Sequence, residues 1–440
     1  MPESPAPLDH RASAPPPLPG VVLYAPGSSK SQVLRAFADE LKARRWRVGG
    51  VILDTLYDAQ GQKVGLDLVS LADERRIPLA RPETVGIAMG RWMLDPTALA
   101  AGKQAIRAAV GAAELIIVDK FGALEGRGDG FNAALRQALA AAPALLVALR
   151  SEFLDAWDAV AGRPTVALRP DIGALWRWWG PYRLYEELAR GVDDLPVRRV
   201  VIGMNWTLVE SPHGCGLAHT PARDAPGCRP LGEAGGLAAR SLKSLAALAT
   251  AWNPFEAAIG LAAINAHYNR PELAGAGANG LDLFAALPGR KLVIGRFPEL
   301  SRRVPDAWVI ERAPAQGELP AHAADWVLPS ADAVAVTASS LGNLTLPRLL
   351  ELARGARVAL IGPGTPLTPA LHAYGIDVLS GFVVTDPERA ARAVAEGGAV
   401  KALKTCGRLV TLVRHEGAAT PGMVAGRPAG IAQRAAKEFQ

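Results

Sequence analysis

Short apolar runs alternate with amphipathic stretches along most of this chain, and the alternation constrains the fold more than any other feature. GVVL, VGGVIL, ELIIVDKF and ALLVAL read as buried strands, while QVLRAFADELKARRW, ALAAGKQAIRAAVGAA and FNAALRQALAAA read as helices with one apolar face. Strands buried on both faces and separated by helices imply a parallel sheet covered on both sides, so residues 21 to about 175 form one three-layer α/β domain. PTVALRPDIGALWRWWG, with Pro164, Pro170 and three closely spaced tryptophans, breaks the alternation and reads as a boundary packed on its neighbours.

Beyond it the pattern changes. YRLYEELARG suggests a helix and VRRVVIGMNWTLVES a strand pair, whereas GCGLAHTPARDAPGCRPLG has neither period and reads as a long loop. LAARSLKSLAALAT suggests another helix, and Asn253-Pro254 sets the start of one in WNPFEAAIGLAAINAHYN. These elements make a smaller α+β domain over 180–283. From KLVIG onward the βα alternation returns through WVIER, AVAVTAS, RVALIGPG and IDVLSGFVV, which describes a Rossmann-like parallel sheet over 284–413. The Pro/Ala/Ser-rich residues 1–20 read as a disordered tail and 414–440 as a loose one.

At 440 residues the chain has room for about three domains of ordinary size. Its 48 basic and 42 acidic residues leave a formal charge of +6, and no lysine/arginine run is dense enough for a nucleic-acid arm. The longest apolar stretch, Ala138–Leu149, is interrupted by Pro143 and falls short of the roughly 20 residues of a membrane span. The acidic, proline-rich start lacks the pattern of a secretory signal, and three cysteines suit a reducing compartment, so a cytoplasmic location is expected.

In YAPGSSKSQVL a strand, a loop and a helix follow one another where a phosphate-binding loop would sit, and Lys30-Ser31 match its GK[ST] end. Tyr24 and Ser29 stand where that signature wants glycines, and their side chains crowd backbone amides that should wrap a phosphate. Asp119 closes an apolar strand, as a magnesium-orienting carboxylate would, with Glu125 six positions later; both also suit an ordinary strand end and turn. Bound nucleotide is therefore an open expectation. LYAPGSSKSQVLRAFADELKARRWRVGGVI, GRWMLDPTAL, LIIVDKFGALEGRGDGF and ALRSEFLDAW resemble a nucleoside-triphosphatase-like family associated with molybdenum transport. That resemblance implies a fold similar to P-loop NTPases.

His213, Cys215, His219 and Cys228 lie close together in the glycine-rich stretch, and thiolates with imidazoles select zinc, copper(I) or iron. Their spacing matches no standard zinc motif, and the alternative is an exposed His213, buried apolar cysteines and a His219 bonded to backbone. Gly295 follows a strand without the further glycines of a dinucleotide fingerprint, which disfavours NAD. Glu311 ends the next strand and could meet a hydroxyl or pair with Arg312. TASSLGNLT brings Asn343, and IGPGTPLTP brings glycine backbone and Thr365, to the edge where α/β sheets place ligands. The competing reading is plain helix capping.

VVIGMNWTLVE, GLAHTP, WNPFEAAIGLAAINA, GRFP, VIER, TASSLGNLTLPRLLELA and LIGPGTPLTPALHAYGIDVLSGFVV resemble the heavy-metal chelation family over about 180–413. The resemblance implies a part similar to the enolase amino-terminal domain packed on a Rossmann-like domain. It also implies a cleft between them lined by Asn253, Gly295, Glu311, Thr337, Asn343, Gly362 and Thr365. Three functions follow as expectations. The first is a metal-handling protein whose cofactor is a transition metal ion or molybdate, with a metalloenzyme as recipient. The second is an enzyme for a nucleotide- or pterin-like ligand, and the third an NTP-driven insertion chaperone using Lys30, Ser31 and Asp119.

Overall fold

The computed structural model describes residues 17–89, 92–141 and 143–414. Two compact units emerge: Pro17–Lys42 with Trp46–Trp178, and Trp179–Arg414 with Ala43–Arg45. Residues 1–16 and 415–440, which hold most of the two expected tails, lie outside the described residues. Residues 17–20 are not tail: Gly20 opens a strand, and the Leu18 carbonyl accepts a hydrogen bond from Trp178 Nε1 at 2.8 Å.

The first unit is built on β1 (Gly20–Leu23), β2 (Val48–Tyr57), β3 (Lys63–Ser70), β4 (Arg76–Ala80), β7 (Leu115–Phe121), β8 (Ala144–Leu149) and β9 (Val166–Leu168); β5 (Ile87–Met89) and β6 (Trp92–Leu94) form a separate hairpin. The sheet order is β4-β3-β2-β7-β8-β1-β9. Its members from β2 to β9 are parallel, but β3 and β4 run antiparallel, so the sheet is mixed where the sequence suggested a purely parallel one. Helices α1 (Lys30–Ala43), α2 (Pro96–Ala109), α3 (Asn132–Ala141), α4 (Leu154–Ala161) and α5 (Ile172–Trp179) accompany it. The segment read as a boundary is part of this sheet: Val166–Leu168 pairs with β1, and the tryptophans of α5 are buried, Trp176 standing edge-on to Phe37 at 5.4 Å. Prolines at both ends of a three-residue strand had hidden it.

In the second unit β10 (Arg199–Ile202), β11 (Trp206–Ser211) and β12 (Gly214–His219) form an antiparallel sheet. The stretch expected to be one long loop therefore begins with a strand. Its period was masked because the positions between Cys215, Leu217 and His219 are Gly214, Gly216 and Ala218 rather than polar residues. A second sheet contains β13 (Lys291–Ile294), β14 (Trp308–Glu311), β15 (Leu319–Pro320), β16 (Ala333–Thr337), β17 (Arg357–Ile361), β18 (Val378–Val384) and β19 (Gly407–Val413) in the order β15-β14-β13-β16-β17-β18-β19. All its pairings are parallel except β18 with β19.

Helices α6 (Leu184–Gly191), α7 (Pro254–Tyr268), α8 (Leu346–Leu352) and α9 (Pro387–Ala395) complete this unit. The expected helix in LAARSLKSLAALAT is shorter, Leu242–Ala246 followed by a tight turn, because Ser241 caps it at the start. Helix α7 begins as read, with Asn253 Oδ1 accepting from Phe255 N at 3.3 Å and Pro254 in the first turn. It is buried continuously from Ala257 to His267 and packs on β11 and β12. Gly216 permits the approach: a Cβ there would lie 2.1 Å from Ala262 O and 2.1 Å from Ala266 N. Gly216→Ala should lower the unfolding free energy of this unit by about 3 kcal/mol. Denaturant unfolding followed by tryptophan fluorescence checks it, and an unshifted midpoint would contradict the packing.

Candidate functional site

The carboxyl ends of the parallel strands in the second unit deliver Gly295 after β13, Glu311 at the end of β14, Thr337 at the end of β16 and Gly362 after β17. Gly295 and Gly362 each pack on the end of β16, and Gly364, in the loop after β17, adjoins the hairpin sheet. Gly295 has φ +93°, and a Cβ there would lie 2.5 Å from Thr337 Cγ2. Gly362, at φ +143°, faces Ala338, whose Cβ would stand 3.1 Å from its own. Gly364 comes within 3.5 Å of Ala218 Cα and of Leu217 O by the same measure. Glycine is needed at Gly295 and Gly362 because a side chain is strained at positive φ. Gly295 and Gly364 are buried in this packing while Gly362 is half-buried, and hydroxyls stand at the same rim, Ser339 Oγ donating to Thr337 Oγ1 at 3.3 Å.

Thr365 lies under this rim, fully buried, with its N–H donated to Gly362 O at 3.0 Å. Glu311 is half-buried, and its Oε2 accepts from Arg312 N at 2.8 Å. His219 closes β12 edge-on to Trp206, ring centroids 6.1 Å apart. Loss of solvent around the ring and then the charge of Arg312 hold its imidazole below the ordinary histidine pKa.

Two of the predicted residues serve local structure, Asn343 in a turn and Asn253 as a cap. Asn343 Oδ1 accepts from Thr345 N at 3.2 Å and Thr345 Oγ1 at 2.6 Å. Asn253, besides capping α7, exchanges hydrogen bonds with the backbone of Arg229 at 3.4 and 3.2 Å and so holds the loop after β12.

The four sulfur and imidazole residues do not converge. Cys215 and His219 are four residues apart on one strand, hence about 13 Å, beyond the reach of one ion. Cys215 is buried with Trp206, Leu208, Phe382 and Cys406, and burial pushes its thiol well up. Cys228 Sγ donates to Ala222 O at 3.3 Å, and His213 is exposed in the hairpin turn, its N–H on Ser211 Oγ at 3.3 Å. Among the described residues no group of three or more His, Cys, Asp or Glu is placed to hold a metal ion.

Sequence reasoning missed Asn265 and Asn269. Asn265 Nδ2 donates to Leu217 O at 2.7 Å and Gly364 O at 2.9 Å. Asn269 Nδ2 donates to Thr365 O at 2.9 Å and Phe382 O at 3.2 Å, while its Oδ1 accepts from Leu367 N at 2.8 Å. The signal was present: two carboxamides four apart at the end of an otherwise apolar helix point the same way and must find partners.

In the first unit, residues 24–29 link β1 to α1 and Lys30 begins the helix. The Lys30 ammonium is paired with the Asp119 carboxylate, lies 4.7 Å from the Tyr24 ring centroid and is 3.1 Å from Ser31 Oγ. Asp119 is 1% exposed, and its second oxygen accepts from Leu53 N at 3.1 Å. Burial, then the Asp119 charge, push the Tyr24 phenol up to about 12. Glu125 accepts from Gly122 N at 2.9 Å and Phe131 N at 3.1 Å, which makes it the anchor of a turn. Lys30, Ser31 and Asp119 thus come together, but as a closed ion pair. Lys30→Met should destabilise the first unit by about 3–5 kcal/mol because it strands the carboxylate. Lys30→Met/Asp119→Asn should recover most of that loss in thermal unfolding, and a double variant no better than the single would refute the pairing.

Residues 20–178 match a family described as "Protein of unknown function (DUF2478)", while 185–268 and 279–413 match two families, DUF4213 and DUF364, both described as "Putative heavy-metal chelation". The chain is 34% identical to a DUF364-family protein of unknown function from Desulfitobacterium hafniense, covering 53% of this chain and 98% of that one, with a TM-score of 0.49. It is 30% identical over 135 residues to the nucleoside-triphosphatase THEP1 of Methanothermobacter thermautotrophicus, 30% of this chain and 75% of the relative. It is 28% identical over 159 residues to the molybdenum import ATP-binding protein ModC 2 of Bradyrhizobium diazoefficiens, 36% of this chain. That match spans only 18% of ModC 2.

Proposed function

The second half of this chain belongs to the heavy-metal chelation family, and from that premise we propose that the protein handles a metal taken as an oxyanion at the rim of the second unit's parallel sheet. The observation that carries this reading is the rim itself. Gly362 presents half-buried backbone beside the half-buried hydroxyls of Thr337 and Ser339, with Gly295 and Gly364 packed beneath, and Arg312 follows β14 at the same sheet edge, where its charge reaches His219. Neutral donors and a guanidinium suit a compact oxygen-bearing anion, and such donors hold it without the thiolates a soft cation requires. Molybdenum is the element favoured by the likeness to ModC 2. Cys215 lies in an apolar core, which speaks for a structural role there.

For the first unit we propose nucleotide binding without hydrolysis. The strand-loop-helix entry and the THEP1 likeness support binding. The carboxylate that would orient magnesium is already taken by Lys30 and Leu53 N, which argues against turnover. Three free cysteines agree with a reducing, cytoplasmic setting. Among the described residues no helix is long and apolar enough to cross a membrane.

Elemental mass spectrometry on the full chain, purified after growth with molybdate, tests the reading. Bound molybdenum should persist in Cys215→Ser and Cys228→Ser, and affinity should fall by about tenfold in Arg312→Ala or Thr337→Val. Metal lost in the cysteine variants but retained in the rim variants would overturn it.

A further inference from the structure

A small cavity lies in the first unit, between its sheet and α2. Leu53, Leu66, Leu79 and Leu99, from β2, β3, β4 and α2, wall about 30 Å³ of space, and Lys120 and Glu125 stand at its polar end. Such a volume holds about two waters, or one carboxyl-sized group. The two polar residues are close neighbours: a Cβ at Gly122 would lie 3.4 Å from Lys120 Cε and 3.8 Å from Glu125 Oε2. Glu125 is buried, and backbone engages both of its oxygens, Gly122 N donating to Oε2 at 2.9 Å and Phe131 N to Oε1 at 3.1 Å. Its negative charge is thereby shared with two N–H groups before it reaches the lysine.

Cations gather around the same amine. Besides Glu125, the charges of Lys30, Lys63 and Arg150 act on Lys120. Lys30 is held by Asp119, Lys63 Nζ lies 5.5 Å from the Trp92 ring centroid, and Arg150 pairs with Glu152, so two of the three are tempered by carboxylates. Burial above all, joined by these cations and opposed by Glu125, holds the Lys120 ammonium below the ordinary lysine pKa. A larger share of the amine is therefore neutral near physiological pH, and a neutral amine is a nucleophile. The surroundings disfavour a positive charge on this nitrogen and favour a negative one beside it.

We propose that Lys120 is a carbon dioxide site, its amine taking up the gas as a carbamate lodged in the leucine-walled cavity among Lys30, Lys63 and Arg150. The nitrogen lone pair attacks the carbon, one C=O π pair moves onto oxygen, and the proton lost from nitrogen passes to solvent. No oxidant, leaving group or cofactor is needed. Carbon dioxide matches the place because it is apolar while it enters among leucines and becomes an anion only once bonded. Bulkier acyl donors and aldehydes exceed the space. The step reverses when the nitrogen regains a proton, which makes the modification responsive to the level of the gas. It depends neither on nucleotide at Lys30 nor on the rim of the second unit.

Carbon NMR of the full chain equilibrated with isotopically labelled carbon dioxide tests the proposal. A carbamate resonance should appear near neutral pH and grow as pH is raised at constant dissolved gas, since only the neutral amine reacts. It should vanish in Lys120→Arg, which keeps a positive charge beside Glu125 but offers no nucleophile. Trapping the adduct with an alkylating oxonium salt and mapping it by peptide mass spectrometry should place it on Lys120 at least about tenfold above the exposed Lys401 and Lys404. Lys63→Met should lower the yield about threefold by removing one cation. Ala123→Leu, at the exposed lip of the cavity, should suppress it by filling the space. A carbamate no more abundant on Lys120 than on Lys401, or one on Lys120 indifferent to both Lys63→Met and Ala123→Leu, would overturn the proposal.

Discussion

The second unit depends on how closely helix α7 lies on strand β12. The contact has no room for a side chain at Gly216, and it is fastened by Asn265, whose amide bonds Leu217 O in that strand and Gly364 O in the loop after β17. Dispersion between closely packed surfaces weakens steeply with a gap of even half an ångström, so the glycine turns a helix–strand contact into a fixed distance. The Asn265 and Asn269 amides then extend that fixed distance to the second sheet, through Gly364, Thr365 and Phe382. Buried amides bonded to carbonyls are directional in a way that apolar contact is not, and here they set where the Gly362–Thr365 loop sits.

This arrangement explains why the rim could be built largely from glycine. A glycine loop alone has a large conformational entropy to lose on ordering, and Gly295 and Gly362 occupy backbone angles that other residues avoid. Anchoring from α7 supplies the order from outside the loop, so that Gly362 stays half-buried in one conformation while Gly364 is packed beneath it. In the first unit the corresponding strand-loop-helix entry has been treated differently. Its lysine is turned inward to a buried carboxylate and an aromatic ring rather than left for a phosphate.

Much of the fold was legible in the sequence because buried parallel strands announce themselves as apolar runs: ELIIVDKF, AVAVT and VLSGFVV need no periodicity to be found. What escaped was governed by partners rather than by local pattern. The antiparallel strands β3, β4 and β19 depend on which neighbour they pair with. Strand β12 was hidden by glycines whose purpose is to admit α7, a helix distant in sequence. For the site, glycine and hydroxyl positions at strand ends were readable from the topological rule for α/β sheets, and Gly295, Thr337 and Gly362 do adjoin. Asn253 and Asn343 carry the same composition signal yet serve local structure, Asn253 capping α7 and Asn343 holding the turn before α8 through Thr345, since a carboxamide beside free N–H groups bonds them before any ligand arrives.

The cysteine and histidine pattern misled for a reason that generalises. Closeness in sequence becomes closeness in space within a turn or helix, but along a strand each residue adds about 3.3 Å and alternate side chains face opposite ways. Cys215 therefore points into an apolar core while Cys228 lies beyond the strand's end. A thiol so enclosed resists the deprotonation that metal binding demands, because the charged form is the one penalised by burial. The buried polar side chains that join α7 to the second sheet are instead the amides of Asn265 and Asn269, whose charge does not change across the physiological range. Order at the sheet edge rests on the direction of their hydrogen bonds, and the carboxamide of Asn265, with both hydrogens on carbonyls of different elements, is the group whose direction the fold has fixed.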